Sequence, residues 1–144
     1  MADEHDGRPK DGAPQPGLNA LDATTGKLLW STPANNVCGK LEFCDPGISA
    51  AVTAIPGAVF AGHMDGRFRA YDGATGKVLF EYDAKQEVVT VSGQRAKGGS
   101  FGGGGPAVRD GYVVVSSGYG MYAHMPGNLL LAFTTPTRSA ATGN

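Results

Sequence analysis

The residues best suited to chemistry in this sequence lie in a glycine-rich loop, QRAKGGSFGGGG, from Gln94 to Gly105. There Arg95, Lys97 and Ser100 stand beside backbone bared at Gly98 and Gly99, so that N–H groups and a cation can approach an anionic ligand closely. It is not a phosphate loop, because the Gly-Lys-Ser/Thr ending is missing and no helix follows. The competing reading is a plain surface connection. Cys38 and Cys44 lie six positions apart in a loop that also holds Gly39 and Pro46. In an exported protein a disulfide closing this small loop is the natural assignment, whereas in a reducing cytosol the two are ordinary free thiols. Zinc binding is the weaker alternative, since two thiolates without nearby histidines leave the metal half coordinated. His63 and His124 are candidate bases or ligands, set against the plainer role of hydrogen-bonding surface residues. Tyr119 and Tyr122 share their loops, and Tyr119 with Met121 offers an apolar wall for a polymeric alcohol or a planar ring. No Cys-x-x-Cys-His occurs, so the sequence has no haem c attachment site. A catalytic aspartate base and a calcium-binding cluster also find no match.

These residues must be positioned by short strands, because the sequence repeats itself. Ala20 to Trp30 reads ALDATTGKLLW and Ala70 to Phe80 reads AYDGATGKVLF, with the matching Asp, Thr, Gly and Lys residues all 50 positions apart. A period of roughly 40 to 50 residues with four short strands is the sequence signature of β-propeller blades. The pattern predicts extended segments at Leu18–Asp22 and Lys27–Ser31 around a turn closed by Gly26, then a loop from Thr32 to Gly47. A whole blade follows: Ile48–Ile55, Ala58–Ala61, Arg67–Asp72 and Lys77–Asp83, with reversals at Pro56-Gly57, Gly62–Gly66 and Asp72–Gly76. The third pass holds Gly105–Val108, Tyr112–Ser117 and Asn128–Phe133, with Arg109-Asp110-Gly111 as its first turn. Two outer strands, one full blade and three strands of another make about two and a quarter blades of an all-β, partial propeller. A last blade that lacks its outer strand is expected at the C-terminal end of a ring, where an N-terminal strand completes it. Residues 1–17 read as a polar arm or severed loop, 18–133 as blades and 134–144 as a tail.

Strand alternation sorts the loops by end. The turns at Pro56-Gly57, Asp72–Gly76 and Arg109–Gly111 are short. Thr32–Gly47, Gly62–Gly66, Ala84–Gly104 and Gly118–Gly127 fall at the other end, are mostly long, and form the expected working face.

Composition narrows the partners. The 144 residues are too few to close a ring of four or more blades. The chain therefore needs the remaining blades, or self-association through its exposed strand edges. With 12 basic and 13 acidic side chains, neither a nucleic-acid backbone nor a membrane surface is favoured. No apolar run approaches the roughly 20 residues of a membrane helix. The opening MADEHDGRPKDGAPQPG has no apolar core, so no signal peptide is expected within this sequence.

Ala-x-Asp-x-x-Thr-Gly-x-x-x-Trp, complete at Ala20, Asp22, Thr25, Gly26 and Trp30, resembles the tryptophan-docking motif of quinoprotein propellers that bind pyrroloquinoline quinone (PQQ). The second copy keeps Ala70, Asp72, Thr75 and Gly76 but ends in Phe80. The run AAVTAIPGAVFAGHMDGRFRAYDGATGKVLF after Ser49, the later GGSFGGGGPAV, and SGYGMYAHMPGNLLLAF resemble the C-terminal blades of polyvinyl-alcohol-dehydrogenase-like quinoproteins. The resemblance covers roughly residues 18 to 133. It implies a ring of about seven or eight blades. It implies alcohol oxidation with the quinone as electron sink, a calcium ion polarising its carbonyl, and a periplasmic or secreted location. It nominates Arg95, Lys97, Gly98, Gly99, Ser100 and Tyr119 for cofactor contact. It leaves most of the cofactor cage on other blades, so that neither PQQ nor calcium is expected to bind this chain alone. The docking motif also marks noncatalytic relatives of the outer-membrane assembly type, which keeps a protein- or polymer-binding scaffold as the alternative. Trp30 and Phe80 are expected to dock on the peptide plane near Gly26 or Gly76 of a neighbouring blade.

Overall fold

The computed structural model describes residues 15–135, and these form eleven strands and no helix. β1 (Gly17–Leu21) and β2 (Leu28–Pro33) pair as a two-stranded sheet. β3 (Thr53–Ile55), β4 (Ala58–Gly62), β5 (Arg67–Asp72) and β6 (Val78–Asp83) form a four-stranded antiparallel sheet in sequence order. β7 (Val88–Val89) and β8 (Arg95–Ala96) are a small hairpin. β9 (Ala107–Arg109), β10 (Tyr112–Ser117) and β11 (Leu129–Thr134) make a three-stranded sheet. Because every larger sheet runs up and down between sequence neighbours, the architecture is that of propeller blades: two outer strands, one whole blade, and three strands of a third.

The repeated turn has one local cause. Asp22 Oδ1 accepts hydrogen bonds from the N–H groups of Thr24 and Thr25 and from the Thr25 hydroxyl. Asp72 does the same with Ala74 and Thr75. Gly26 (φ 69°) and Gly76 (φ 72°) then supply the left-handed residue that turns the chain into the next strand. These bonds hold both Asp carboxyls below the usual range, led by the Thr25 and Thr75 side chains.

Two differences from the sequence pattern have tertiary causes. The apolar run expected to extend from Ile48 pairs only from Thr53 onward, because the backbone before it is bonded to loops: Ala51 N–H donates to Gly103 and Met64 N–H to Gly47. The stretch read wholly as loop between Ala84 and Gly104 contains the β7–β8 hairpin, closed by Thr90 N–H donating to Gln94 O at 2.8 Å. The ladder starts at Gly17, opposite Pro33. The rest of the expected arm, residues 1–14, and residues 136–144 of the expected tail lie outside the described residues.

The whole blade packs on both sides, as strand alternation requires. One face meets the first blade through Leu18, Ala61 and Tyr71, backed by Trp30, Ile48 and Val59. The other meets the third blade through Phe68, Ala84, Phe101 and Val115, with Phe133 stacked on Phe68 at 5.2 Å.

Candidate functional site

The two ends of the blades differ in chemistry. At the short-turn end Gly73 N–H donates to Gly57 O, tying two reversals together. Trp30 completes this end: its indole N–H donates to Gly73 O at 3.1 Å, and its ring lies where a Gly76 Cβ would project. Thr32 adds a hydroxyl bond to Gly76 O at 2.7 Å. Ala70 is buried in the same blade, whereas Gly26 faces open space, with nothing docked on it. Phe80, the second copy of the aromatic position, meets Phe133 edge-on at 5.5 Å and borders an apolar cavity of about 250 Å³ with Phe60 and Val113. Ala20, Asp22, Thr25 and Trp30 thus shape and join blades.

At the other end the long loops are knitted by backbone. Phe101 N–H donates to His63 O, Ser100 N–H to Met125 O, and Gly118 N–H to Ser100 O. The nominated cofactor residues divide here. Arg95 and Lys97 are exposed and border a shallow cavity of about 490 Å³ with Glu87 and Pro126–Asn128, where Arg95 is already paired with Glu87 at 2.7 Å. Tyr119 is 62% exposed. Gly98, Gly99 and Ser100 turn inward instead. Gly98 N–H donates to Ala84 O and Gly99 N–H to the Ser117 hydroxyl, which in turn donates back to Gly99 O at 2.8 Å. The Ser100 hydroxyl donates to Met64 O at 2.6 Å and accepts from Met125 N–H at 2.9 Å. The glycines are required by close backbone crossing: Cβ atoms at Gly98 and Gly99 would strike Ser117 and the Met125 carbonyl. The idea that this backbone is bared for an anion is therefore corrected, since its N–H groups and both serine hydroxyls are committed to the blade junction.

Cys38 and Cys44 form a disulfide with Cα atoms 5.4 Å apart. It closes a loop that presents Phe43 at φ 59°. His63, read as a working-face residue, is fully buried. Its Nδ1 lies 3.0 Å from Pro46 O and its Nε2 2.8 Å from the Tyr71 hydroxyl. Carbonyl oxygens only accept, so Nδ1 carries the proton and Nε2 accepts from Tyr71. Burial depresses the His63 pKa and pushes Tyr71 up to about 12.

A charged network escaped the sequence reading. Asp65 is fully buried, and Arg69 bonds it at 2.9 Å while reaching Glu81 at 2.7 Å from the facing strand. Arg67 also pairs with Glu81, and Lys85 donates to Asp65 O at 2.6 Å. Burial works against the Glu81 charge, but Arg69 and Arg67 more than offset it and hold that carboxyl below its ordinary value. The available signal was the register of β5 against β6, which sets Arg69 opposite Glu81. The pairing consumes these charges structurally. Among the described residues no three His, Cys, Asp or Glu side chains converge on a metal position.

A family described as outer membrane protein assembly factor BamB matches residues 15–138. The chain belongs to the BamB-like PQQ-repeat family. Within that PQQ-repeat family it is 42% identical over 136 residues to a polyvinylalcohol dehydrogenase of Pseudomonas sp, covering 83% of this chain and 20% of that protein. A polyvinylalcohol dehydrogenase of Sphingopyxis sp. (strain 113P3) is 39% identical over 133 residues, covering 83% of the chain and 20% of its own length. The dehydrogenase subunit of a quinone alcohol dehydrogenase from Gluconobacter oxydans (strain 621H) is 32% identical over 103 residues, with 70% and 13% covered. The chain spans about a fifth of the first two relatives.

Proposed function

We propose that this chain is a blade segment of a PQQ-dependent alcohol dehydrogenase of the polyvinyl-alcohol-oxidising kind. One observation carries the reading: the 42% identity to a polyvinylalcohol dehydrogenase runs across 83% of the chain. The oxidation takes place in the periplasm, with calcium beside the quinone and electrons passed to an external acceptor. The cofactor cage is completed by blades beyond this segment, which spans about a fifth of the polyvinylalcohol dehydrogenases it resembles. Within the complete ring the chain's own contribution is positional: Trp30 and Thr32 lock one blade to the next, and Ser100 and Ser117 fix the loops that face the substrate. The segment's open edges pair with the remaining blades or, in their absence, with a second copy.

The test compares the purified chain with a protein carrying the full set of blades, each given PQQ, calcium, a secondary alcohol and an artificial electron acceptor. Dye reduction by the complete protein and none by the segment is the expected result. Turnover by the segment at the complete protein's rate overturns the divided cage. No turnover by either favours the second reading, a noncatalytic scaffold. That reading draws support from the assembly-factor description of the family and from the structural use made of Asp65, Arg69 and His63.

A further inference from the structure

The two junctions between blades place different aromatic rings at one shared position. Ala20 stands opposite Trp30 in the first blade, and Ala70 opposite Phe80 in the whole blade. On the receiving side, Tyr112 pairs with Thr134 as Ala58 pairs with Asp72, so Gly111 and Thr135 hold the places of Gly57 and Gly73. At the first junction the Trp30 indole reaches this turn, donates to Gly73 O at 3.1 Å and lies against Gly76. At the second, Phe80 brings one ring and no N–H, and meets Phe133 edge-on at 5.5 Å. Between them lies the apolar cavity of about 250 Å³, walled by Phe60, Phe80, Val113 and Phe133 and reaching Gly111 and Thr135. It therefore occupies the place where an indole is seated one blade earlier.

The four wall side chains offer water no hydrogen bond. A cavity of roughly 150 Å³ lined by such side chains holds benzene, so the larger volume here admits a second fused ring. Phe80 is 43% exposed, which leaves the cavity open to solvent on its side. Residues 1–14 and 136–144 contain no Phe, Tyr or Trp, so the parts of the chain outside the described residues have no further aromatic ring to place there. We propose that this cavity is a binding site for a free, flat, apolar two-ring compound of indole size. The step is binding only, with no bond made or broken, and it does not depend on whether the complete ring oxidises alcohols.

NMR of the purified, methyl-labelled chain titrated with indole tests this. The expected result is a saturable shift of the Val113 methyl resonances, with the Val59 methyls, which pack at the junction Trp30 already fills, unmoved. Intermolecular NOEs should run from indole protons to Val113 and to the Phe133 ring. Phe80→Trp puts the chain's own second ring in the cavity and removes the shift. No saturable shift, an equal shift at Val59, NOEs to the exposed Leu28 or Leu29 instead, or a shift kept by folded Phe80→Trp overturns the site. If that variant does not fold, the NOEs decide. A protein carrying the full set of blades should show the same Val113 shift; its loss there would mean that another blade fills the cavity, and would also overturn a site for a free ligand.

Discussion

His63 occupies a position where a positive charge is disfavoured, between Pro46 O and the Tyr71 hydroxyl with no solvent contact. The charges that face it come from β5, β6 and the turn before them: Arg69 lowers its pKa, while Asp65 and Glu81 act in the opposite sense and are outweighed by burial. In the unfolded chain the imidazole titrates near its ordinary value of about 6.5. Because the folded value is lower, the unfolded state binds more protons in the window between the two. The stability His63 contributes is therefore present above about pH 6.5 and is lost as pH falls through the folded pKa. Urea midpoints measured from pH 7.5 downward should decline across that window, and His63→Gln should flatten the decline there. An unchanged slope in the variant would assign the loss in that window to groups other than His63; Glu81, whose carboxyl is held below its ordinary value, acts only at lower pH. The sequence showed a histidine in a Gly-rich turn; its burial could not be read there, since Pro46 lies 17 positions away.

At the scale of the element, the Asp-x-x-Thr-Gly turn appears twice with the same internal bonds, yet only one copy receives an aromatic ring. This separates local strain from docking. Gly26 and Gly76 both have φ near 70°, so alanine at either costs about 1 to 2 kcal/mol in the left-handed region. At Gly76 the new methyl also strikes the Trp30 ring and the Thr32 hydroxyl, adding about 1 to 3 kcal/mol of overpacking. Gly76→Ala should therefore lower unfolding free energy clearly more than Gly26→Ala in chemical denaturation; equal losses would mean that Trp30 does not lock the blades. The turns themselves were legible, because an Asp carboxylate three residues before a Thr hydroxyl makes its bonds within one reversal. The β7–β8 hairpin was not legible, since two-residue strands leave no period to detect.

For the whole molecule, open edges dominate. Among the described residues β1 pairs only with β2, and β11 only with β10. Leu28 and Leu29 on β2 and Leu130 on β11 are exposed, apolar surface of the kind that blades in a ring cover. Sedimentation of the isolated chain should show association that grows with concentration and disappears when the complementary blades are supplied; a monomer at all concentrations would mean that these edges are protected within the chain. The sequence by itself determined the repeat, the strand order, the all-β class and the short-turn chemistry, because all of these depend on residues close in sequence and on a period of 50. Only the tertiary structure decided what the working face does with its residues. Gly98 and Gly99 read alike as ligand-facing or as part of a surface connection until the Ser117 hydroxyl and the Met125 carbonyl are seen against them. His63 and His124 looked equivalent in sequence, and the fold satisfies both nitrogens of one, whereas the described residues supply partners only to Nδ1 of the other. The physical reason is tertiary: whether a polar group such as His63 or Ser100 is available depends on partners that the chain brings back from 8 to 36 positions away.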